Sequence, residues 1–173
     1  MNDVFAEILR LKQEGQRGAL CTVISSKGSL PMSGKAKMLV GEDGTMVGTV
    51  GGGCLEADVW AEAQRVVKRD ISKIASFILT EQHAGESGLN CGGKVDIFIE
   101  PVVPDRMTAV FEEIARIRAE GEKGAIATVI SSRIPAAMKE KSKLVLRADG
   151  TILGGIGGGG FIEDCVRQKA EEV

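Results

Sequence analysis

Two cysteines lie next to glycine-rich stretches, and they are the residues of this chain best suited to chemistry. The stretch GTVGGGCLEADVWAEA places three glycines and a cysteine before a helical pattern: Gly51, Gly52, Gly53 and Cys54. The stretch NCGGKVDIFIE places a cysteine and two glycines before a strand pattern: Cys91, Gly92 and Gly93. Glycines let the backbone approach a ligand, and the N–H groups of a helix's first turn favour an anion. We therefore expect both stretches to form backbone-lined loops around one anionic ligand.

Cys54 is predicted to be more reactive than an ordinary cysteine, because a helix N-terminus stabilises a thiolate. Packing is the alternative for this loop, since a small apolar cysteine beside glycines also fits a crowded helix–sheet junction. Cys91 weighs against that alternative, because packing does not require the same composition twice. Cysteine sulfur prefers soft metal centres and also carries sulfur as a persulfide. Cys54 and Cys91 are therefore candidate metal or sulfur contacts.

Lys37 and Glu56 are the polar residues closest to these loops in the pattern, and both are candidate ligand contacts. A solvated helix face is the alternative interpretation for Glu56. His83 is interpreted as a loop histidine, and Cys21, within an apolar strand pattern, as a core residue.

Composition argues against several other classes of protein. The net charge of −2 leaves no basic excess to neutralise phosphates, so nucleic-acid binding is not expected. No apolar run approaches the roughly 20 residues of a membrane span, and the acidic N-terminus does not resemble a signal peptide, so we expect a cytoplasmic protein with no membrane partner. The four cysteines form no C-x-x-C pair, which argues against a zinc cluster and structural disulfides.

The sequence contains an internal repeat. GQRGALCTVISS at 15–26 returns as GEKGAIATVISS at 121–132, and residues 5–53 align without a gap at an offset of 106. One extra glycine follows in the second copy, which ends at Val173 before any counterpart of residues 74–100. The expected organisation is one complete unit, 1–104, and a partial second copy, 105–173.

Each unit combines helices with strands. A helix is expected over NDVFAEILRLKQEG, with Asn2 or Asp3 as N-cap and Gly15 as its end. A strand is expected in ALCTVIS, and the next two strands form a hairpin around the Asp-Gly of GEDG. An amphipathic helix is expected over CLEADVWAEAQRVVK. Two further strands complete the unit, and Pro101 is expected to end the last one. The order α-β-β-β-α-β-β predicts an α/β (α+β) fold, with a mixed sheet flanked by helices.

The second copy is expected to form helix 107–120, strand 125–131, hairpin 143–156 and helix 161–172. It keeps the glycine loop, but either Gly160 or Phe161 replaces Cys54, and Cys91 has no counterpart. A sheet that lacks two strands leaves an unpaired edge, which proteins normally cover. We therefore expect the second copy to pack on the first or on another chain, and predict a homodimer.

Several separated motifs of the first unit resemble the XdhC/CoxI family, the maturation factors of xanthine dehydrogenase and carbon monoxide dehydrogenase. They occur in the family's order: G-S-L-P at 28–31, A-K-M-L-V at 36–40, D-G at 43–44, G-T-V-G-G-G-C-L-E at 48–56, C-G-G at 91–93 and E-P at 100–101. The resemblance covers the whole first unit and is weaker in the second. It is to the N-terminal domain type, without the C-terminal Rossmann domain that many members carry.

The resemblance implies a molybdenum-cofactor chaperone rather than a turnover enzyme. Such a protein holds the cofactor (molybdopterin), supports its sulfuration with a cysteine desulfurase, and delivers it to a molybdenum hydroxylase apo-enzyme. Cys54 and Cys91 would then be the sulfur or metal contacts, and the glycines of the two loops the backbone cradle. Two alternatives stay open: a thiol redox or sulfur-transfer protein that uses Cys54 and Cys91, and a non-catalytic structural partner in a maturation complex.

Overall fold

A computed structural model describes residues 3–28, 36–79, 93–106, 109–131, 142–157 and 160–171. The chain divides into two compact units, Met1–Arg106 and Met107–Val173. No helix in the described ranges combines the length and apolar character that crossing a membrane requires.

The first unit has the predicted order α-β-β-β-α-β-β. Its elements are α1 (Val4–Glu14), β1 (Gly18–Gly28), β2 (Lys37–Gly41), β3 (Met46–Thr49), α2 (Gly53–Arg69), β4 (Lys73–Leu79) and β5 (Gly93–Val102), followed by a short 3-10 helix, Pro104–Arg106. The expected caps of α1 are confirmed: the Asp3 carboxylate accepts a hydrogen bond from the Phe5 N–H at 2.8 Å, and Gly15 ends the helix in the left-handed conformation.

The strands form a five-stranded sheet in the order β3-β2-β1-β5-β4, with every neighbouring pair antiparallel. The α+β class is confirmed, but the expected mixture of parallel and antiparallel pairs is not found among the described strands. The reason is topological. Helix α2 connects β3 to β4, and these two strands occupy opposite edges of the sheet, so the crossover never produces a neighbouring parallel pair.

One face of this sheet packs against α2, and the two form the main core. The helix contributes Leu55, Val59, Ala63, Val66 and Val67, and the alternate residues of the central strands face them: Ala19, Cys21, Val23, Val95, Ile97 and Ile99. Full burial of a large apolar side chain stabilises a fold by about 1.5–3 kcal/mol. This packing fixes the position of the α2 N-terminus relative to the sheet.

Strand β5 continues past Pro101, where the sequence suggested that it would end. Pro101 pairs with Ala19 on β1, whereas β4 begins only at Lys73, which pairs with Ile99. Proline is tolerated here because β4 does not extend to this part of β5, so one side has no ladder to interrupt.

The second unit repeats the first five of these seven helices and strands. It contains α3 (Ala109–Ala119), β6 (Gly124–Thr128), β7 (Lys143–Arg147), β8 (Ile152–Gly154) and α4 (Gly160–Glu171). Its sheet has the antiparallel order β6-β7-β8, and its core contains Val129, Leu144, Leu146 and Ile156. Ile162 and Val166 of α4 pack against that core.

Candidate functional site

The strand ends that flank the two glycine-cysteine segments point toward the same end of the first sheet but lie at different levels along β1. The end of β3, Thr49, pairs with the start of β2, Lys37. The end of β1, Gly28, pairs with the start of β5, Gly93, which also pairs with the end of β4, Leu79. The chain therefore enters the Cys54 loop at the level of Thr22 on β1, which pairs with Lys37, and leaves the Cys91 segment at the level of Gly28, six residues further along β1.

Cys54 is the second residue of α2, and its side chain is exposed. Gly52 and Gly53 have φ angles of +79° and +62°, which glycine adopts at little cost. A β-carbon on either of these two glycines would have no heavy atom within 4 Å. The loop therefore has open space beside its backbone, and a ligand can reach both the backbone and the thiol.

The Glu56 carboxylate folds back from α2 onto this loop. Its Oε1 accepts hydrogen bonds from the Gly52 N–H at 3.0 Å and the Val50 N–H at 3.4 Å, and also from the Thr49 hydroxyl. The Thr49 hydroxyl oxygen in turn accepts from the Gly51 N–H at 3.1 Å. Glu56 therefore contacts the loop backbone rather than lying on a solvated helix face, and two of the loop N–H groups already bind this carboxylate.

Sequence reasoning missed Thr49 as a part of this arrangement. It could have found the contact between Glu56 and the loop, because Glu163 follows the glycine run of the second copy as Glu56 follows that of the first. A glutamate in the first turn that binds backbone N–H groups at the helix start resembles one half of a capping box.

The second unit forms an equivalent contact without a cysteine at the position of Cys54. The Glu163 carboxylate accepts a hydrogen bond from the Ile156 N–H at 3.3 Å. Counted back from the two glutamates, the counterpart of Cys54 is Phe161, which lies two residues before Glu163 as Cys54 lies two residues before Glu56.

Of the remaining residues singled out in the sequence, some lie within the described ranges and others lie outside them. Lys37 is partly buried at the start of β2, and Gly93 begins β5. Cys91, Gly92 and His83 lie outside the described residues. Within the described ranges, no group of three or more His, Cys, Asp or Glu side chains is arranged to hold a metal ion.

Two further cysteines differ from Cys54. Cys21 is fully buried in β1, as predicted, and burial raises the pKa of its thiol to about 12, with a smaller contribution from the charge of Glu100. Cys165 is exposed in α4 and lies beyond the first turn of that helix.

Comparison with known proteins identifies similar chains. The model of the XdhC and CoxI family matches residues 11–77 and 117–173, one segment in each unit. An uncharacterized Escherichia coli K12 protein, YqeB, is 31% identical over 97 residues, which are 56% of this chain and 18% of YqeB. A Bacillus halodurans structure described as a xanthine dehydrogenase has a TM-score of 0.64 at 22% identity, over 92% of this chain and 46% of its own. This chain therefore spans less than half of either protein, and the second likeness concerns the fold alone.

Proposed function

The chain belongs to the XdhC and CoxI family, and from that premise we propose that it binds the molybdenum cofactor and assists its sulfuration or insertion into a molybdenum hydroxylase. Family membership supports a role in molybdoenzyme maturation in general, and the handling of the cofactor is our proposal. The observation that carries it is the exposed thiol of Cys54 at the start of α2, beside glycines whose surroundings are open.

The residues present fit such a group. When bound, the cofactor supplies a phosphate, a dithiolene and a metal, and therefore both an anionic part and a soft-donor part. The first-turn N–H groups of α2 have no partner within the helix and would bind the anionic part. Cys54, together with Cys91, would present sulfur to the soft part. Gly51, Gly52, Gly53, Gly92 and Gly93 would allow the backbone to approach, and Lys37 would add a positive charge.

Anaerobic binding of purified molybdenum cofactor tests this proposal. Wild-type protein is titrated beside Cys54→Ala, Cys91→Ala and the matched control Cys165→Ala, which removes a second thiol that is exposed in the described part of the chain. We expect stoichiometric binding by the wild type and the control, with weaker binding by the first two variants. Unchanged binding by Cys54→Ala and Cys91→Ala would exclude these two residues as cofactor contacts. If the wild type does not bind the cofactor, the proposed function is wrong.

Sulfur transfer is a second candidate function, favoured by the exposure of Cys54. The Cys54 thiolate would attack the outer sulfur of a persulfide on a cysteine desulfurase; the new S–S bond forms as the old one breaks, and the desulfurase cysteine leaves as a thiolate. Incubation with a desulfurase and cysteine should add one sulfur atom to Cys54, detectable by mass spectrometry of intact protein under non-reducing conditions. A thiol that stays unmodified would exclude this function.

We also propose that the chain forms a homodimer. In the described part of the second unit, β6 pairs with β7 alone, whereas its counterpart β1 has a neighbour on each side. An unpaired strand edge readily pairs with another chain. Sedimentation velocity over a range of concentrations should give the mass of two chains, and the mass of one chain throughout would contradict the proposal.

A further inference from the structure

The contact between a glutamate and the preceding glycine loop occurs once in each unit. Glu56 binds the N–H groups of Val50 and Gly52, and Glu163 binds that of Ile156, the counterpart of Val50. Each glutamate lies in the first turn of the helix that follows its loop. Because the second unit keeps the contact without a cysteine at the position of Cys54, the contact itself serves to shape the loop.

The loop before Cys54, in the first unit, has one more side-chain contact, which Thr49 makes. Thr49 donates its hydroxyl hydrogen to Glu56 and accepts a hydrogen bond from the Gly51 N–H. The counterpart of Thr49 is Gly155, which has no hydroxyl. The loop before Cys54 is therefore held by a side chain on each side of it, one from the end of β3 and one from α2.

These bonds determine which backbone groups remain for a ligand. Val50, Gly51 and Gly52 use their N–H groups within the loop. The N–H groups of Gly53 and Cys54 open the helix and have no partner in the i→i−4 ladder. The N–H groups open to a ligand are therefore those next to the thiol, rather than those at the start of the glycine run.

We propose that Glu56 is a positioning residue for Cys54: its carboxylate fixes the glycine loop, so that the thiol is presented at the second residue of α2. This assigns Glu56 a role through the loop rather than as a ligand contact. The inference rests on the proposed function only in taking Cys54 as the working thiol. Loss of the contact would let the first turn of α2 fray, and the thiol would no longer be held beside the N–H groups that open the helix.

Two substitutions separate the hydrogen bond from the charge. Glu56→Gln removes the negative charge but keeps an amide oxygen that can accept the same N–H bonds, whereas Glu56→Ala removes both. Any difference between the two variants therefore reports the hydrogen bonds. Glu163→Ala is the matched control, because it breaks the equivalent contact in the unit that has no cysteine at the position of Cys54.

The experiment measures alkylation of Cys54 by iodoacetamide at pH 7.5 in the full chain, followed by mass spectrometry of its peptides. Cys165 is exposed and provides an internal reference in the wild type and in the Glu56 variants, which leave α4 unchanged. We expect Cys54 to react roughly two- to fivefold more slowly in Glu56→Ala than in Glu56→Gln, since helix-terminus interactions of about 0.3–1 kcal/mol correspond to factors of that size. Glu163→Ala should leave the rate at Cys54 unchanged.

Equal rates of Cys54 alkylation in Glu56→Ala and Glu56→Gln would overturn the proposal. It would also be overturned if Glu163→Ala slowed the alkylation of Cys54 as much as Glu56→Ala does. If Glu56→Ala does not fold, Thr49→Val and Thr49→Ser make the same comparison, because only serine keeps the hydroxyl. Thr49→Val should then be the slower of the two, and equal rates would again count against the proposal. No cofactor is present in this assay, so its outcome is independent of whether the chain binds molybdenum cofactor.

Discussion

A β-carbon on Gly48 would lie 2.4 Å from the carbonyl oxygen of Lys37 on the neighbouring strand. Gly48 also has a φ angle of +86°, a conformation that other residues rarely adopt. The same relationship joins Gly154 to Lys143 in the second unit, again with 2.4 Å and φ +86°. The repeat therefore extends from the sequence to a specific backbone bend at the end of each hairpin.

Gly48→Ala is expected to destabilise the protein by about 2–4 kcal/mol, because backbone strain and a clash with a carbonyl oxygen combine. Gly53→Ala is the matched control, since its φ is +62° but no heavy atom lies within 4 Å of the added carbon. It should cost about 1–2 kcal/mol from strain alone. Urea unfolding measures both values, and equal losses would contradict the steric explanation.

Asp3→Ala should lower the free energy of unfolding by about 1 kcal/mol, because it removes the side-chain oxygen that binds the Phe5 N–H at the start of α1. Asp3→Asn keeps an oxygen acceptor at the same place and should lower the free energy of unfolding by only a few tenths of a kcal/mol. Chemical denaturation followed by circular dichroism distinguishes the two. Identical losses would indicate that the charge, rather than the cap, stabilises the helix.

Cys21 is expected to make stability depend on pH in the alkaline range. Burial raises the pKa of the folded thiol from its ordinary 9.0 to about 12. Below pH 9 both states keep the proton and stability is unaffected; between about pH 9 and 12 the unfolded state loses its proton while the folded state retains it. The free energy of unfolding should therefore fall by up to about 1.4 kcal/mol per pH unit in this window.

Cys21→Ala provides the comparison, since Ala127 occupies the equivalent position of the second copy. The difference in stability between wild type and variant should narrow as the pH rises from 9 to 11, because only the wild type loses this contribution. A difference that stays constant over that range would show that Cys21 does not titrate on unfolding.

Arg147→Ala should lower the melting temperature by several degrees. The guanidinium of Arg147 bonds to the carboxylates of Glu113 at 2.7 Å, Glu120 at 2.6 Å and Glu122 at 3.1 Å. Glu113 is only 9% exposed, so removal of the arginine leaves a buried charge with two acidic neighbours. Arg116→Ala, at an exposed residue 3.2 Å from Glu113, should have a much smaller effect, and a comparable effect would argue against the burial explanation.

Local features of this fold could be predicted from the sequence. The Asp3 cap, the Gly15 end of α1 and the Asp-Gly turn of the hairpin depend on residues within a few positions of one another. In that turn the Asp43 carboxylate accepts a hydrogen bond from the Thr45 N–H at 3.0 Å. These are side-chain-to-backbone contacts that the local sequence determines.

Features that join distant residues could not be predicted. The placement of β5 between β1 and β4 depends on which strands meet in the folded chain. For that reason the sequence led us to expect a mixed sheet, whereas the sheet of the first unit is antiparallel. Glu56 was expected to contact a ligand or to lie on a solvated helix face. Its contact with the loop depends on how Gly51 and Gly52 turn the backbone, and the signal for it in the sequence was the recurrence of a glutamate at Glu163.

The pairing of β1 with β5 also affects the order of events during synthesis. Gly18 pairs with Val102, 84 residues further along the chain, whereas β1, β2 and β3 are close neighbours in sequence. A nascent chain can therefore form the three-stranded meander early but must wait for residues 93–102 to cover the other edge of β1. Long-range pairing of this kind slows folding, and until it happens the apolar edge of β1 is open to association with other nascent chains.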